Sequence, residues 1–186
     1  FQKAMEVWCP SCWCRHHWCA GKVHFFGQDA ATQQWAPTLR VLEAHPQCHN
    51  DFCSVQFDTT GQRLATAMYG YIADSAWKVW DVATGWCAGG WVACSHMAGE
   101  LIKVFHPESQ QACRVIFSPT DPDVLFAVSN QQTVRLSLAD GSVTPFIGHP
   151  TGYHFLDGDA MALNDDDTVL YVAYFYAQCV IAWDVA

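Results

Sequence analysis

The chain has 186 residues, of which 51% are hydrophobic and 15% charged, so it can bury a sizeable core and is not a disordered segment. Nine Lys and Arg oppose eighteen Asp and Glu, for a net charge of −9, and the basic residues are scattered singly. Nucleic-acid binding needs a clustered basic face, and an anionic membrane surface would repel an acidic protein. We therefore expect no nucleic-acid partner.

Two further features bear on location. No signal peptide is visible, and no run reaches the roughly 18 apolar residues needed to cross a bilayer. We expect no direct membrane insertion and slightly favour an intracellular location.

Most of the ten Cys residues sit in apolar runs, where a free thiol behaves as a small buried hydrophobe, so we favour free thiols over disulfides.

One pattern of apolar runs and polar turns recurs four times along the chain. The first run of each unit ends in a turn containing Pro, Asp, Asn or Gly, which interrupt strands. The first runs span 5–11, 54–61, 114–121 and 161–168. The second runs span 12–19, 63–69, 124–129 and 168–174, and the third runs span 22–26, 77–82, 133–138 and 179–185. A fourth run leads to a His in three units, at 38–45, 91–96 and 142–149.

Repeated units of four strands, with almost no helical periodicity between them, predict an all-β protein. They favour a β-propeller over a sandwich or a barrel, because neither alternative requires its units to resemble each other. We place about four blades of four antiparallel strands at residues 1–45, 46–96, 97–149 and 150–186. The last blade ends before its outermost strand, so we expect the chain to be part of a larger ring.

Several short motifs are typical of one propeller family. They include Phe117-Ser118-Pro119, Gly148-His149, Trp80-Asp81 and Trp183-Asp184, and Asp74 precedes Trp80 by six residues. Together they resemble the WD-repeat family, whose blades suit rings of about seven. The segments 71–74, 140–160 and 170–173 are also similar to NHL-repeat propellers. Both families imply the same architecture.

The WD-repeat resemblance implies which residues lock each blade. In that family a His, a Ser or Thr, an Asp and a Trp form a buried hydrogen-bonded network. The residues to which the resemblance gives a structural, blade-locking role are His45, Asp74, Trp80, Asp81, His96, His149, Trp183 and Asp184. The sequence leaves the Ser or Thr of the second unit unassigned, and the third unit has Ser137 where Trp is expected.

Two clusters have residue types that bind metals. Cys9, Cys12, Cys14, His16, His17 and Cys19 contain one Cys-x-x-Cys step without a second pair, which is a weak zinc motif, and they alternate as a half-buried strand does. Asp157, Asp159, Asp165, Asp166 and Asp167 offer oxygen ligands for Ca²⁺, but an EF-hand loop from Asp157 would have Thr168 at its twelfth position. We interpret both clusters as structural and expect no metal and no cofactor.

The sequence contains no recognisable catalytic motif. It has no Gly-x-Ser-x-Gly elbow, no His-Glu-x-x-His and no phosphate-binding Gly-Lys loop. By analogy with the family, we expect a non-catalytic scaffold for protein–protein interactions, whose partners are other subunits of a larger complex. The alternative is an NHL-like or lactonase-like propeller enzyme with a metal at the propeller axis. Detection of a bound metal would discriminate between the two.

Overall fold

The computed structural model describes residues 22–28, 32, 34–44, 52–68, 75–82, 99–107, 112–129, 132–148, 158–174 and 178–185. All regular secondary structure in these ranges is β. The strands are β1 (Lys22–Gln28), β2 (Trp35–Glu43), β3 (Phe52–Phe57), β4 (Arg63–Met68), β5 (Trp77–Asp81), β6 (Glu100–Phe105), β7 (Ala112–Phe117), β8 (Val124–Ser129), β9 (Gln132–Ser137), β10 (Val143–Gly148), β11 (Gly158–Leu163), β12 (Val169–Tyr174) and β13 (Cys179–Asp184).

The strands form four antiparallel sheets in which each strand pairs with its neighbour in sequence. Sheet 1 contains β1 and β2, sheet 2 contains β3 to β6, sheet 3 contains β7 to β10, and sheet 4 contains β11 to β13. The first three runs predicted for the second, third and fourth units match the first three strands of sheets 2, 3 and 4. Short polar turns make this arrangement possible, because antiparallel neighbours need no long crossover.

The sheets stack face to face through three apolar clusters. Val23 and Leu42 of sheet 1 pack against Leu64 and Trp80 of sheet 2. Sheets 2 and 3 share a second cluster, and sheets 3 and 4 share a third. The first strands of sheets 2, 3 and 4 lie near one another in the stack, and β7 contacts both β3 and β11. The sheets therefore spread outward from their first strands.

Strand β8 illustrates why the central strands are continuous apolar runs. All six of its residues are buried. Because successive side chains of a strand point to opposite faces, Leu125 and Ala127 pack toward sheet 2, whereas Phe126 and Val128 pack toward sheet 4. A strand covered on both faces loses the apolar–polar alternation that marks a half-exposed strand.

Two details differ from the sequence interpretation. The fourth strand of sheet 2 is β6, at Glu100–Phe105, whereas the run assigned to it, 91–96, lies outside the described residues. Sequence analysis missed β6 because Glu100 and Lys103 interrupt its apolar residues. The strand is an outer one, and Leu101 is 44% and Ile102 42% exposed. The blade boundaries stay a prediction.

The second difference is one of register in sheet 3. Trp80 pairs with Leu64 and Asp81 with Arg63 in sheet 2, and the corresponding pairs of sheet 3 join Leu136 to Leu125 and Ser137 to Val124. Leu136, not Ser137, therefore occupies the position of Trp80. The sequence interpretation was wrong by one residue, because no Trp marks the register of β9.

Candidate functional site: a rim of linked turns

The turns at one end of the stack form the best-defined surface feature. In an antiparallel sheet of four strands, the turn between the first and second strands and the turn between the third and fourth leave from the same end. We call this set of turns the turn rim, and it comprises residues 58–62, 118–123, 138–142 and 164–168.

Each first strand ends at a polar residue whose side chain caps the following turn. Asp58 Oδ1 accepts hydrogen bonds from the backbone N–H groups of Gln62 (2.9 Å) and Arg63 (3.1 Å). Asn164 Oδ1 accepts in the same way from the N–H groups of Thr168 (2.9 Å) and Val169 (2.7 Å). Such local side-chain caps are why Asp, Asn and Ser are favoured in turns.

The turn after β7 is capped by a hydroxyl instead, which accepts from nearer backbone N–H groups. Ser118 Oγ accepts from the N–H groups of Thr120 (3.2 Å) and Asp121 (2.8 Å). After β3, β7 and β11 alike, the backbone N–H of the capping residue also donates to the backbone carbonyl of the first residue of the next strand, at 3.0 to 3.1 Å. The turns are thus fixed by local hydrogen bonds, and they lie where the sequence predicted a turn at the end of each first run.

An arginine links the turns of sheets 2 and 3. Arg63 Nη1 donates to Asp123 Oδ1 at 2.8 Å and to the carbonyl of Pro122 at 2.9 Å. The carboxylate of Asp123 is 52% exposed, so solvent weakens the ion pair, but the two-point contact still fixes the relative position of the turns.

A carboxylate links the turns of sheets 3 and 4. The hydroxyls of Ser118 and Thr120 both donate to Asp167 Oδ2. Asp167 has a φ of 58°, in the left-handed region that Asp tolerates better than most residues. Sheets 2, 3 and 4 are therefore joined at this end by side chains as well as by their apolar clusters.

A glycine allows a further close approach between sheets 2 and 3. Gly141 has a φ of 77°, and a Cβ added there would lie 2.5 Å from Lys103 Nζ of β6. Any other residue would have to displace the lysine and adopt a strained backbone.

The rim is negatively charged. Asp121, Asp123, Asp140, Asp165 and Asp166 are all exposed on it. The backbone N–H of Ser142, 2.9 Å from the Asp140 carboxylate, is the largest cause that lowers the pKa of Asp140 to about 2, and the hydroxyls of Ser142 and Ser137 lower it further. Asp140 therefore stays ionised to a lower pH than an ordinary aspartate.

The blade-locking residues predicted from the sequence are placed in part. Trp80 is buried at 8% exposure, and its Nε1 donates to Thr66 Oγ1 at 3.1 Å. Asp81 is half-buried opposite Arg63, and Asp184 is exposed opposite Val169. The other predicted residues, His45, Asp74, His96 and His149, lie outside the described residues.

Thr66 is the functional side chain that sequence reasoning missed. The sequence shows only that Leu64, Thr66 and Met68 alternate along β4, and the contact of Thr66 with Trp80 follows from the pairing of β4 with β5. In sheet 4 the equivalent of Thr66 is Val172, so the buried indole N–H of Trp183 has no hydroxyl at this position to donate to.

The structure bears on only part of the metal candidates. In the described part of the chain, no group of three or more His, Cys, Asp or Glu side chains is arranged to hold a metal ion. The cluster from Cys9 to Cys19 lies outside that part, as does Asp157 of the acidic cluster. Cys113 and Cys179 are not joined in disulfides. Among the described residues no helix is long and apolar enough to span a membrane.

Comparisons with known proteins bear on the fold. No family model matches the chain, and no curated protein does. The β-propeller domain of Myceliophteria thermophila Cps50 (Swd1) is similar in structure, with a TM-score of 0.64, 13% sequence identity, and coverage of 90% of this chain and 48% of that one. A chain of the mitotic checkpoint complex gives a TM-score of 0.63 at 13% identity, covering 90% of this chain and 44% of that one.

The chain has a β-propeller fold. It spans about half the length of each of these two structures, so sheets 1 to 4 make up part of a propeller, as the sequence predicted. Identities of 13% establish the fold and not a family, and the WD-repeat assignment stays a prediction from the motifs above.

Proposed function

We propose that this chain is a non-catalytic scaffold, a WD-repeat-like subunit of a larger complex that binds other protein subunits. The observation that carries the proposal is the turn rim, in which Arg63 joins the turns of sheets 2 and 3 and Asp167 joins those of sheets 3 and 4. Adjacent turns that are fixed to each other form a continuous, preorganised surface, which reduces the ordering cost of binding a partner.

The charge of the rim indicates what kind of partner surface would fit. The chain carries a net charge of −9, and the exposed side of the rim is rich in Asp. Complementary charge speeds association and fixes orientation, so the partner surface should be basic and its binding weaker at high salt. One of the structurally similar chains belongs to a protein complex, the mitotic checkpoint complex, and this agrees with a subunit role.

The proposal is tested by charge reversal on the rim. The full chain is used for affinity purification as wild type, as the double variant Asp121→Lys/Asp165→Lys, and as the matched control Glu100→Lys on the exposed strand β6. We expect partner proteins to be lost from the rim variant and retained by the control, and the wild-type yield to fall with added salt.

Two results would contradict the scaffold proposal. One is an unchanged set of partners with the rim variant. The other is one equivalent of bound metal together with hydrolase activity, which would favour the enzyme with a metal at the propeller axis.

A further inference from the structure

Thr120 lies on the turn rim with its side chain exposed. Its hydroxyl and that of Ser118 both donate to Asp167 Oδ2, and its backbone N–H donates to the same oxygen at 3.3 Å. Ser118 is only 3% exposed. Of the two hydroxyls in this link between sheets 3 and 4, that of Thr120 is therefore the one that an enzyme can reach from solvent.

The residues that follow Thr120 are acidic. Asp121 and Asp123 stand at the first and third positions after it, and both are exposed. Protein kinases select substrates by charge patterns of this kind, and a kinase with a basic substrate groove prefers a Ser or Thr followed by acidic residues. Three other hydroxyl residues are exposed on the described part of the rim, and none has an acidic residue at these positions: Thr59, Thr60 and Ser142.

The backbone around Thr120 is also accessible. Residues 119–123 are all exposed, and none of them belongs to a strand. Pro119 and Pro122 have no backbone N–H to donate, so they cannot extend the pairing of β7 with β8. A kinase can therefore draw this segment into its groove without separating the strands of sheet 3.

We propose that Thr120 is a phosphorylation site for an acidic-directed protein kinase, and that its phosphorylation separates the turns of sheets 3 and 4. In the reaction Thr120 Oγ1 loses its proton and bonds to the γ-phosphorus of ATP, while the bond from that phosphorus to the bridging β-phosphate oxygen breaks and ADP leaves. The inference rests on the proposed function, because it makes the continuity of the partner-binding rim subject to regulation.

The phosphate removes what the link depends on. Phosphothreonine has no hydrogen on Oγ1 to donate, and it brings about two negative charges next to the Asp167 carboxylate, which repels them. Arg63 is already held by Asp123 and by the Pro122 carbonyl. The apolar cluster between sheets 3 and 4 is unchanged, so the sheets stay packed while their turns separate.

The experiment treats the full chain with ATP and an acidic-directed kinase of the casein kinase II type, and locates phosphate by mass spectrometry. We expect phosphate at Thr120, lost in Thr120→Val and much reduced in Asp121→Asn/Asp123→Asn. The matched control is Thr60→Val, because Thr60 lies in the corresponding turn of sheet 2 and its hydroxyl bonds within that turn, to Asp58. This control should keep the phosphate at Thr120. Absence of phosphate at Thr120 would overturn the proposal.

Thermal unfolding shows whether the phosphate acts on the link to Asp167. Phosphorylation should lower the midpoint of unfolding of the wild type by roughly 3 °C or more. In Asp167→Gly, which has already lost the acceptor of both hydroxyls, phosphorylation should lower the midpoint much less. An equal decrease in the two proteins would contradict the proposal, because the phosphate would then act somewhere other than on Asp167.

Partner binding distinguishes this inference from the proposed function. If the rim binds partners, phosphorylation and Asp167→Gly should both reduce the yield of affinity purification. Full partner yield from the phosphorylated chain, together with loss from Asp121→Lys/Asp165→Lys, would overturn regulation at Thr120 and leave the proposed function intact. Unchanged partners with that rim variant would instead sink the proposed function, whereas phosphate at Thr120 with a loss of stability that depends on Asp167 would support the modification site itself.

Discussion

Trp80 Nε1 donates to Thr66 Oγ1 across neighbouring strands of sheet 2, at 3.1 Å, in the cluster that joins sheets 1 and 2. Thr66 is fully buried and Trp80 is 8% exposed, so water does not replace this bond. This acceptor offsets the cost of burying the indole N–H in an apolar cluster. The bond therefore joins β4 to β5 within sheet 2, at the surface that packs against sheet 1.

The first prediction concerns the acceptor. Thr66→Val preserves the shape of the side chain but leaves the Trp80 N–H buried without a partner. We expect the free energy of unfolding, measured with urea, to fall by about 1–3 kcal/mol. Thr66→Ser, which keeps the hydroxyl, should lose less than Thr66→Val, and equal losses would show that the hydroxyl is not what matters.

The turns and strands could be predicted further than the contacts between sheets. Alternation and turn residues gave the first three strands of sheets 2, 3 and 4, because each depends only on local sequence. Strand β6 was missed because the fourth run of its unit was assigned to 91–96, and because Glu100 and Lys103 interrupt its apolar residues. Thr66 was missed because its role depends on the register with Trp80, and the links made by Arg63 and Asp167 depend on how neighbouring sheets stack, which one sequence does not encode locally.

The second prediction concerns the link between sheets 3 and 4. Asp167→Gly removes the acceptor for the Ser118 and Thr120 hydroxyls but suits the φ of 58°, so backbone strain does not add to the effect. We expect a loss of about 1–2 kcal/mol in the free energy of unfolding. Asp167→Asn, which keeps a carbonyl oxygen and tolerates the same φ, should lose less. A fully stable glycine variant would mean that the apolar cluster alone holds the two sheets.

The third prediction concerns alkaline pH. Burial between sheets 3 and 4 raises the pKa of the Tyr174 phenol above 10.0, and the nearby Thr133 and Trp183 side chains oppose this only in part. The unfolded chain therefore loses this proton at a lower pH than the folded chain, so stability is retained below pH 10.0 and falls as the pH rises above it. The decrease measured between about pH 9 and 11 should be smaller for Tyr174→Phe than for the wild type, whereas the exposed control Tyr171→Phe should behave like the wild type.

The fourth prediction retains the WD-repeat network inferred from the sequence. If Asp74 and His45 join the pair formed by Trp80 and Thr66, Asp74→Ala leaves a buried donor without its partner and should lower the free energy of unfolding by roughly 1–3 kcal/mol. The exposed Asp165→Ala, on the turn rim, serves as the control and should change it by less than about 0.5 kcal/mol. An unchanged midpoint of thermal unfolding for Asp74→Ala would count against the network.

The fifth prediction is that the Trp–Thr hydrogen bond of sheet 2 can be introduced into sheet 4 by one substitution. Val172 occupies the position of Thr66, and Trp183 that of Trp80, so the buried Trp183 N–H has no threonine hydroxyl to donate to. Val172→Thr adds a hydroxyl where the register brings it to this N–H. Burying a hydroxyl costs free energy unless it is bonded, so the sign of the change depends on whether the new bond forms.

A double-mutant cycle separates the two contributions. In the presence of Trp183 we expect Val172→Thr to be neutral or to stabilise the protein by up to about 1 kcal/mol. In a Trp183→Phe background the same substitution buries a hydroxyl with no indole N–H beside it, and should destabilise the protein by about 1–2 kcal/mol. A coupling energy near zero would mean that the introduced hydroxyl and the Trp183 N–H do not meet, and that the lock seen in sheet 2 depends on more than the shared register.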